Sequence, residues 1–263
     1  MSTPLELYHW EPNTYFLKPL IALQEKQVPF SSHWFDPTAF EQFSPAVPGN
    51  LESGLQLERE GPVLVHGEHI ISNSFFMLEY IAEALPGPDL NPGAAFQHYR
   101  ARAVGQLLTA VGADVSLLGC IRHLAPILRR RDPQALHARL QAIEPVERRN
   151  SWSGLLDGGA DDKLVSRARE RLQFPLTRIE HLLGSTPWLA GTAYSVADIA
   201  AFSLLRPLPA LAPDLLNEQA TPRLIEFLNR MGERPAVKEA LALSRSGRPH
   251  EAFVPGAEPS RWG

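Results

Sequence analysis

Three adjacent polar side chains, Asn13, Thr14 and Tyr15, follow Pro12 where an amphipathic helix is predicted to begin, and this segment is well suited to hold an anion. Free backbone N–H groups and the helix dipole favour negative charge at a helix start, and a hydroxyl or amide adds a directed hydrogen bond, to a thiolate for example. A second such start is written at Asn73-Ser74, two residue types that cap helices and leave N–H groups beside a hydroxyl. Cys120 stands in Leu117-Leu118-Gly119-Cys120-Ile121, an apolar context that raises a thiol pKa, so it reads as a buried hydrophobe. The nine histidines show no metal-ligand spacing, and H-E-x-x-H, G-x-S-x-G, P-loop and dinucleotide-loop motifs are absent. No metal is expected, and small-molecule chemistry at an anion-binding helix end is what remains.

The elements that position these residues change period along the chain. Leu5 to Trp10 reads as a strand and Ser31 to Phe35 as a weaker one. Leu17, Leu20, Ile21 and Leu23 place a helix between them from about Tyr15 to Lys26, with Pro19 expected in its first turn. Strand, helix, strand implies a parallel pair with a right-handed crossover. Pro62 to Val65 and His69 to Ile71 flank His66-Gly67-Glu68 as a hairpin, and Phe76, Met77, Tyr80, Ile81 and Ala84 stripe the helix behind Asn73-Ser74. Pro86 to Gly93 is the linker, and everything after it is helical by period.

In that second part Leu164, Ala168, Leu172, Leu176, Ile179 and Leu183 form one stripe, in which Pro175 predicts a kink or a break. Ser195 and Asp198 spell a capping box, with Tyr194 and Ile199 placed as its hydrophobic staple. Thr221-Pro222 and Arg234-Pro235 set proline in first helical turns. Arg129 to Pro133 reads as a solvated helix end. The expected organisation is an α/β domain over 1–85, a linker over 86–93, an all-helical domain over 94–243 and a glycine- and proline-rich tail over 244–263.

The chain of 263 residues is 44% hydrophobic and 21% charged, which excludes disordered and fibrous classes. Its net charge of -4 gives no global attraction to nucleic acid or anionic lipid. One cysteine excludes an internal disulfide. No apolar run is read as long enough for a membrane span, and MSTPLELYHW lacks signal-peptide character, so a cytoplasmic protein without membrane or nucleic-acid partners is expected.

This array of strand, helix, strand, hairpin and helix followed by a helical bundle resembles the glutathione S-transferase superfamily, a thioredoxin-like domain with a mixed four-stranded sheet joined to an all-α domain. In that family a cis-proline precedes the third strand, an acid-serine pair opens the next helix, and a serine-x-x-aspartate box starts a buried helix. Pro62, Asn73-Ser74 and Ser195 to Asp198 stand in those places, and the resemblance runs from Leu5 to about Leu243. Within it the chain is similar to the bacterial β-aryl-etherase branch, which uses glutathione to cleave aryl ethers in lignin fragments. Leu17-Lys18-Pro19-Leu20, Asp36-Pro37 with Phe40-Glu41-Gln42, and Ile143-Glu144-Pro145 with Glu147-Arg148-Arg149 and Trp152 carry that likeness. The last lies in an insertion.

The resemblance implies glutathione as co-substrate and a thiol-activating residue at the first helix. Thr14 falls at the place of the serine used by serine-type transferases, with Asn13 and Tyr15 as alternatives; Phe16 falls at the etherase serine and cannot donate. Ser74 would bind the γ-glutamyl carboxylate. Asn73 replaces an acid and weakens the ammonium contact, and the Gly61 backbone before Pro62 would pair with the cysteinyl moiety. The 51–60 stretch lacks the family's asparagine-proline-glycine turn. A small aromatic substrate is expected against the first bundle helix at Tyr99, Arg102 and Gln106, beside Phe16, with Trp10, Trp152, Phe253 and Trp262 as further aromatic walls. The implied reaction is thiolate displacement of an aryloxy group. A dehalogenase or isomerase, or a non-catalytic scaffold, is the alternative, and analogy implies a homodimer.

Overall fold

The computed structural model describes residues 4–48, 61–141, 143, 146–156 and 162–255. The 51–60 stretch, Glu144, Pro145 and Trp262, all named above, lie outside them.

Four strands form one mixed sheet in the order β2-β1-β3-β4. Strand β1 (Leu5–His9) pairs in parallel with β2 (Ser31–Trp34) and antiparallel with β3 (Val63–His66), which closes a hairpin with β4 (His69–Ile71). Gly67 turns the hairpin at φ 62°, a left-handed conformation that costs glycine little. Helix α1 (Thr14–Lys26) makes the crossover and α2 (Ser74–Ala84) follows the hairpin, so the expected thioredoxin-like arrangement is present. Helix α1 begins earlier than the apolar period suggested. Pro19 therefore lies inside the helix and removes the N–H that would reach the Tyr15 carbonyl. The Gly61–Pro62 peptide is trans, unlike the cis bond that the resemblance implied.

The second part is helical: α3 (Ala95–Gly119), a π-helical turn (Cys120–Leu124), α4 (Ala125–Leu128), α5 (Pro133–Gln141), α6 (Val146–Leu156), α7 (Asp162–Leu183), α8 (Val196–Leu205), α9 (Leu208–Leu211), α10 (Pro222–Gly232) and α11 (Pro235–Ala242). Pro222 and Pro235 open their helices as predicted. Helix α7 continues through Pro175 without a break. The stretch Ala95–Leu128 is long and apolar enough to cross a membrane, which the reading of apolar runs overlooked. Of its most apolar window 61% is buried in the protein, as suits the central helix of a bundle.

The capping box at α8 is complete. Asp198 accepts from Ser195 N at 2.9 Å and from Leu189 N at 2.9 Å, tying the helix start to the loop before it. Burial pushes the Asp198 carboxyl up to about 6 against the pull of those donors. Cys120 is buried. Of the arginine run, Arg129 and Arg130 are exposed, but Arg131 reaches back to the sheet domain and donates to the Thr38 carbonyl and, at 2.8 Å, to Thr38 Oγ1.

The C-terminal stretch read as a tail is packed as far as Pro255. Ala252 and Val254 join Trp10, Phe16, Phe35, Val47 and Val63 in a second core beside the sheet, while Phe253 enters the main core. Glu11 anchors the stretch: its buried carboxylate accepts from Arg245 N at 3.0 Å, Ser246 N at 2.8 Å and the Ser244 hydroxyl. Residues 244–255 thus strap the bundle back onto the α/β domain.

Candidate functional site

Strand β1 delivers the chain to the start of α1, and a buried histidine sets the exit. His9 Nδ1 donates to the Trp10 carbonyl at 2.6 Å, which leaves Nε2 to accept from Ser32 Oγ at 2.7 Å. Burial lowers the His9 pKa and keeps the ring neutral. The turn that follows places Asn13 at the N-cap position of α1, yet no side chain caps this helix. Instead Asn13 Nδ2 donates to the Ala252 carbonyl of the strap at 2.9 Å, and Asn13 Oδ1 is buried with no partner. An orphaned buried acceptor at an uncapped helix start is an arrangement that a polar ligand would complete.

Thr14 is held at φ 41°, a conformation strained for a β-branched residue. Among the described residues its hydroxyl has no hydrogen-bond partner, and the residue is 1% exposed. Tyr15 points the other way, toward the bundle, where Ser116 Oγ donates to its hydroxyl at 3.2 Å. Phe16 packs edge-on against Trp10 and Phe35 in the second core, so it supports the strap rather than lining an open site.

At α2, Asn73 sits at φ 67° and its Oδ1 accepts from Phe75 N at 2.9 Å and Phe76 N at 3.4 Å. That oxygen is committed to the cap. Ser74 beside it is buried, and its hydroxyl accepts from Lys18 Nζ at 3.2 Å. Lys18 also lies 5.2 Å from the centre of the Tyr15 ring. Ser74, Lys18, Tyr15 and Ser116 therefore form a chain of contacts from the start of α2 to the last turn of α3, and Thr14 precedes Tyr15 on α1. The sequence reading paired Ser74 with Thr14 but gave Lys18 no part beyond its place in a motif. Gly61 and Pro62 lead into β3, and the space where a Gly61 side chain would stand is open among the described residues.

The residues predicted for the second substrate are not brought together with Thr14. Tyr99 is 64% exposed and stacks on Phe96, Arg102 pairs with Glu79 of α2 at 3.1 Å, and Gln106 faces solvent. At the rise of an α-helix Tyr99 lies about 20 Å along the axis from Gly112, where α3 actually meets Tyr15. Instead Gly112 and Ser116 of α3 meet Tyr15, while Gly119 at the end of α3 and His123 of the following π-helical turn meet the strap. Phe253 of the strap stacks on His123 with ring centres 5.8 Å apart and fills the space above Gly119. Among the described residues no group of three or more histidine, cysteine or acidic side chains could hold a metal ion.

A glutathione thiolate would find here what its chemistry requires: an uncapped helix start, a hydroxyl unpaired among the described residues and a cation about one helical turn further along α1. The residues present fit that group. Trp152, expected as an aromatic wall, lies instead against Phe40 in the core.

Comparison with known proteins agrees with the fold. A family model described as the C-terminal domain of glutathione S-transferase matches residues 157–243. Protein LigF of Sphingobium sp. strain SYK-6 is 26% identical over 248 residues, covering 92% of this chain and 94% of LigF. The crystal structure of that protein, described as a β-etherase, superposes with a TM-score of 0.82 at 25% identity over 91% of this chain and 99% of that one. A glutathione transferase family member from Pseudomonas fluorescens, solved with two glutathione molecules bound, has a TM-score of 0.68 at 18% identity, covering 91% and 92%. By the family match over residues 157–243 and the likeness to LigF over nearly the whole chain, the protein resembles the glutathione S-transferase superfamily and, within it, the β-aryl-etherase branch.

Proposed function

We propose that this protein is a glutathione-dependent transferase that displaces an aryloxy group from carbon, cleaving a β-aryl ether or a similar aromatic electrophile. The observation that carries the reading is the chain of contacts Ser74–Lys18–Tyr15–Ser116 together with the uncapped start of α1, where Thr14 stands beside the unpartnered Asn13 Oδ1. Glutathione supplies the sulfur nucleophile. The chain's own residues do the rest: Ser74 holds the γ-glutamyl end, the Gly61 backbone pairs with the cysteinyl part, and the Thr14 hydroxyl with the α1 amides stabilises thiolate. The aromatic electrophile sits between Tyr15 and the Gly119–His123 segment at the end of α3, in the space beside Phe253 of the strap. Likeness to LigF over nearly the whole chain favours an ether as the bond broken.

Incubation with glutathione and a β-aryl ether model compound tests this directly, with released phenol and the glutathione thioether as the readouts. Phenol formation no faster than without enzyme removes the etherase reading. The same reading takes the protein as a cytoplasmic homodimer. Light scattering near the monomer mass of 29.2 kDa at working concentration would contradict the dimer.

A further inference from the structure

We propose that Lys18 is a ligand-anchoring residue whose ammonium, together with the Ser74 hydroxyl, receives the α-carboxylate of the γ-glutamyl group of glutathione. This rests on the glutathione reading above and assigns within it a residue that sets specificity.

Two buried lysines on α1 make the contrast that leads here. Lys26 is 4% exposed and donates to the Ala82 and Leu85 carbonyls at 2.8 and 3.0 Å, at the C-terminal end of α2. That is the negative end of a helix dipole, where a cation belongs. Lys18, about two turns earlier and 5% exposed, meets the opposite end of the same helix. Its Nζ has the Ser74 hydroxyl at 3.2 Å and the Tyr15 ring, and no ion-pair partner among the described residues. A buried cation beside a helix N-terminus places two positive fields together, which is unfavourable alone and favourable once an anion arrives. Burial pushes the Lys18 ammonium down to about 7, with no carboxylate offsetting it.

The donors also converge. Ser74 Oγ accepts from Lys18, so its own proton is free to donate outward, and the ammonium keeps two donors unspent. A carboxylate has the lone pairs to take all three. The ammonium of the γ-glutamyl group finds less, because the Asn73 oxygen is already accepting from two α2 amides. The site should therefore grip this zwitterion through its negative end.

The test is titration calorimetry with three thiols: glutathione, its analogue lacking the α-carboxylate, and its analogue lacking the α-amino group. Wild-type protein is expected to lose about tenfold or more in affinity for the decarboxylated analogue and only a few-fold for the deaminated one. Lys18→Met should weaken glutathione by about the same tenfold while leaving the decarboxylated analogue within about twofold, and Lys18→Arg should keep the preference. Equal weakening of both thiols by Lys18→Met would mean that Lys18 only orients Ser74, and the proposal would fall. Should Lys18→Met not fold, the wild-type comparison still decides, since equal affinity for glutathione and the decarboxylated analogue overturns it. Wild-type protein that binds no glutathione at millimolar ligand would instead sink the functional reading, and this inference with it.

Discussion

The rings of Phe40 and Trp152 lie 4.9 Å apart with their planes tilted by 48°, joining two sequence segments that had been singled out separately for their likeness to β-etherases. One belongs to the α/β domain and the other to the inserted helix α6. Arg131 and Arg139 reinforce the joint by donating to the Thr38 and Ala39 carbonyls. The likeness in these two segments is thus a docking contact, remote from the hydroxyls at the α1 start. Trp152 is fully buried, so Trp152→Ala is expected to cost about 3 to 5 kcal/mol of stability. A double-mutant cycle with Phe40→Leu, read by urea unfolding, should give a coupling of about 0.5 to 1.5 kcal/mol. Additive effects would show that the rings merely fill space.

Thr14 and Tyr15 offer competing hydroxyls, and their surroundings separate them. The Thr14 hydroxyl has no partner among the described residues, whereas the Tyr15 hydroxyl is engaged by Ser116. Loss of one hydrogen bond to a charged acceptor is worth roughly 1.5 to 3 kcal/mol, or about a ten- to hundredfold fall in catalytic efficiency. Thr14→Val is expected to show that fall and to raise the thiol pKa of bound glutathione, followed by thiolate absorbance in the ultraviolet. A pKa that moves in Tyr15→Phe and not in Thr14→Val would reassign the role.

The strap holds the Asn13 amide, next to Thr14 in the chain, through Ala252. Its anchor is the Glu11 carboxylate, which serves three donors at once. Glu11→Ala should therefore loosen residues 244–255 without touching the contacts that run from Ser74 to Ser116. Limited proteolysis is expected to cut sooner within that segment, and stopped-flow association of glutathione should quicken severalfold. An unchanged association rate despite faster cleavage would mean that ligand reaches the site by another route.

Asp198 gives the fold a pH dependence of unusual sign. Its folded pKa, about 6, lies above its unfolded value of 3.8, so between these pH values the folded state binds the extra proton. Stability from this group is therefore present at low pH and lost as pH rises through that window. Relative to Asp198→Asn, the wild type should lose about 2 kcal/mol of unfolding free energy between pH 4 and pH 7. Urea midpoints of both proteins across that range check it; parallel curves would contradict it.

What could be read from the chain in advance was what local signals specify. The hairpin turn at Gly67, the prolines opening α10 and α11 and the Ser195–Asp198 box each depend on neighbours within four residues. The candidate site depends on pairs far apart: Lys18 with Ser74 and Asn13 with Ala252. No periodicity joins such residues. The glycine and proline content of the strap suggested a loose end because its anchors, Glu11 and Asn13, come from the other terminus. Tyr99, Arg102 and Gln106 were chosen from a helical repeat, which groups residues on faces without saying which face meets the other domain. A different repeat on α3 held that information: Gly105, Gly112 and Gly119, seven residues apart.

Those three glycines each receive an aromatic ring. A side-chain carbon on Gly105 would come within 2.2 Å of Phe75 from α2, one on Gly112 within 3.1 Å of the Tyr15 hydroxyl from α1, and one on Gly119 within 2.2 Å of Phe253 from the strap. At heptad spacing the notches recur about every 10.5 Å, whereas one helical turn advances only about 5.4 Å. Sliding α3 by a single turn would therefore drive all three rings into side chains instead of notches. The relative position of the domains is quantised rather than adjustable, and the seam between them cannot creep. Only the third ring belongs to the strap, whose hold depends on the Glu11 carboxylate, so loosening that anchor would free one end of an otherwise fixed track.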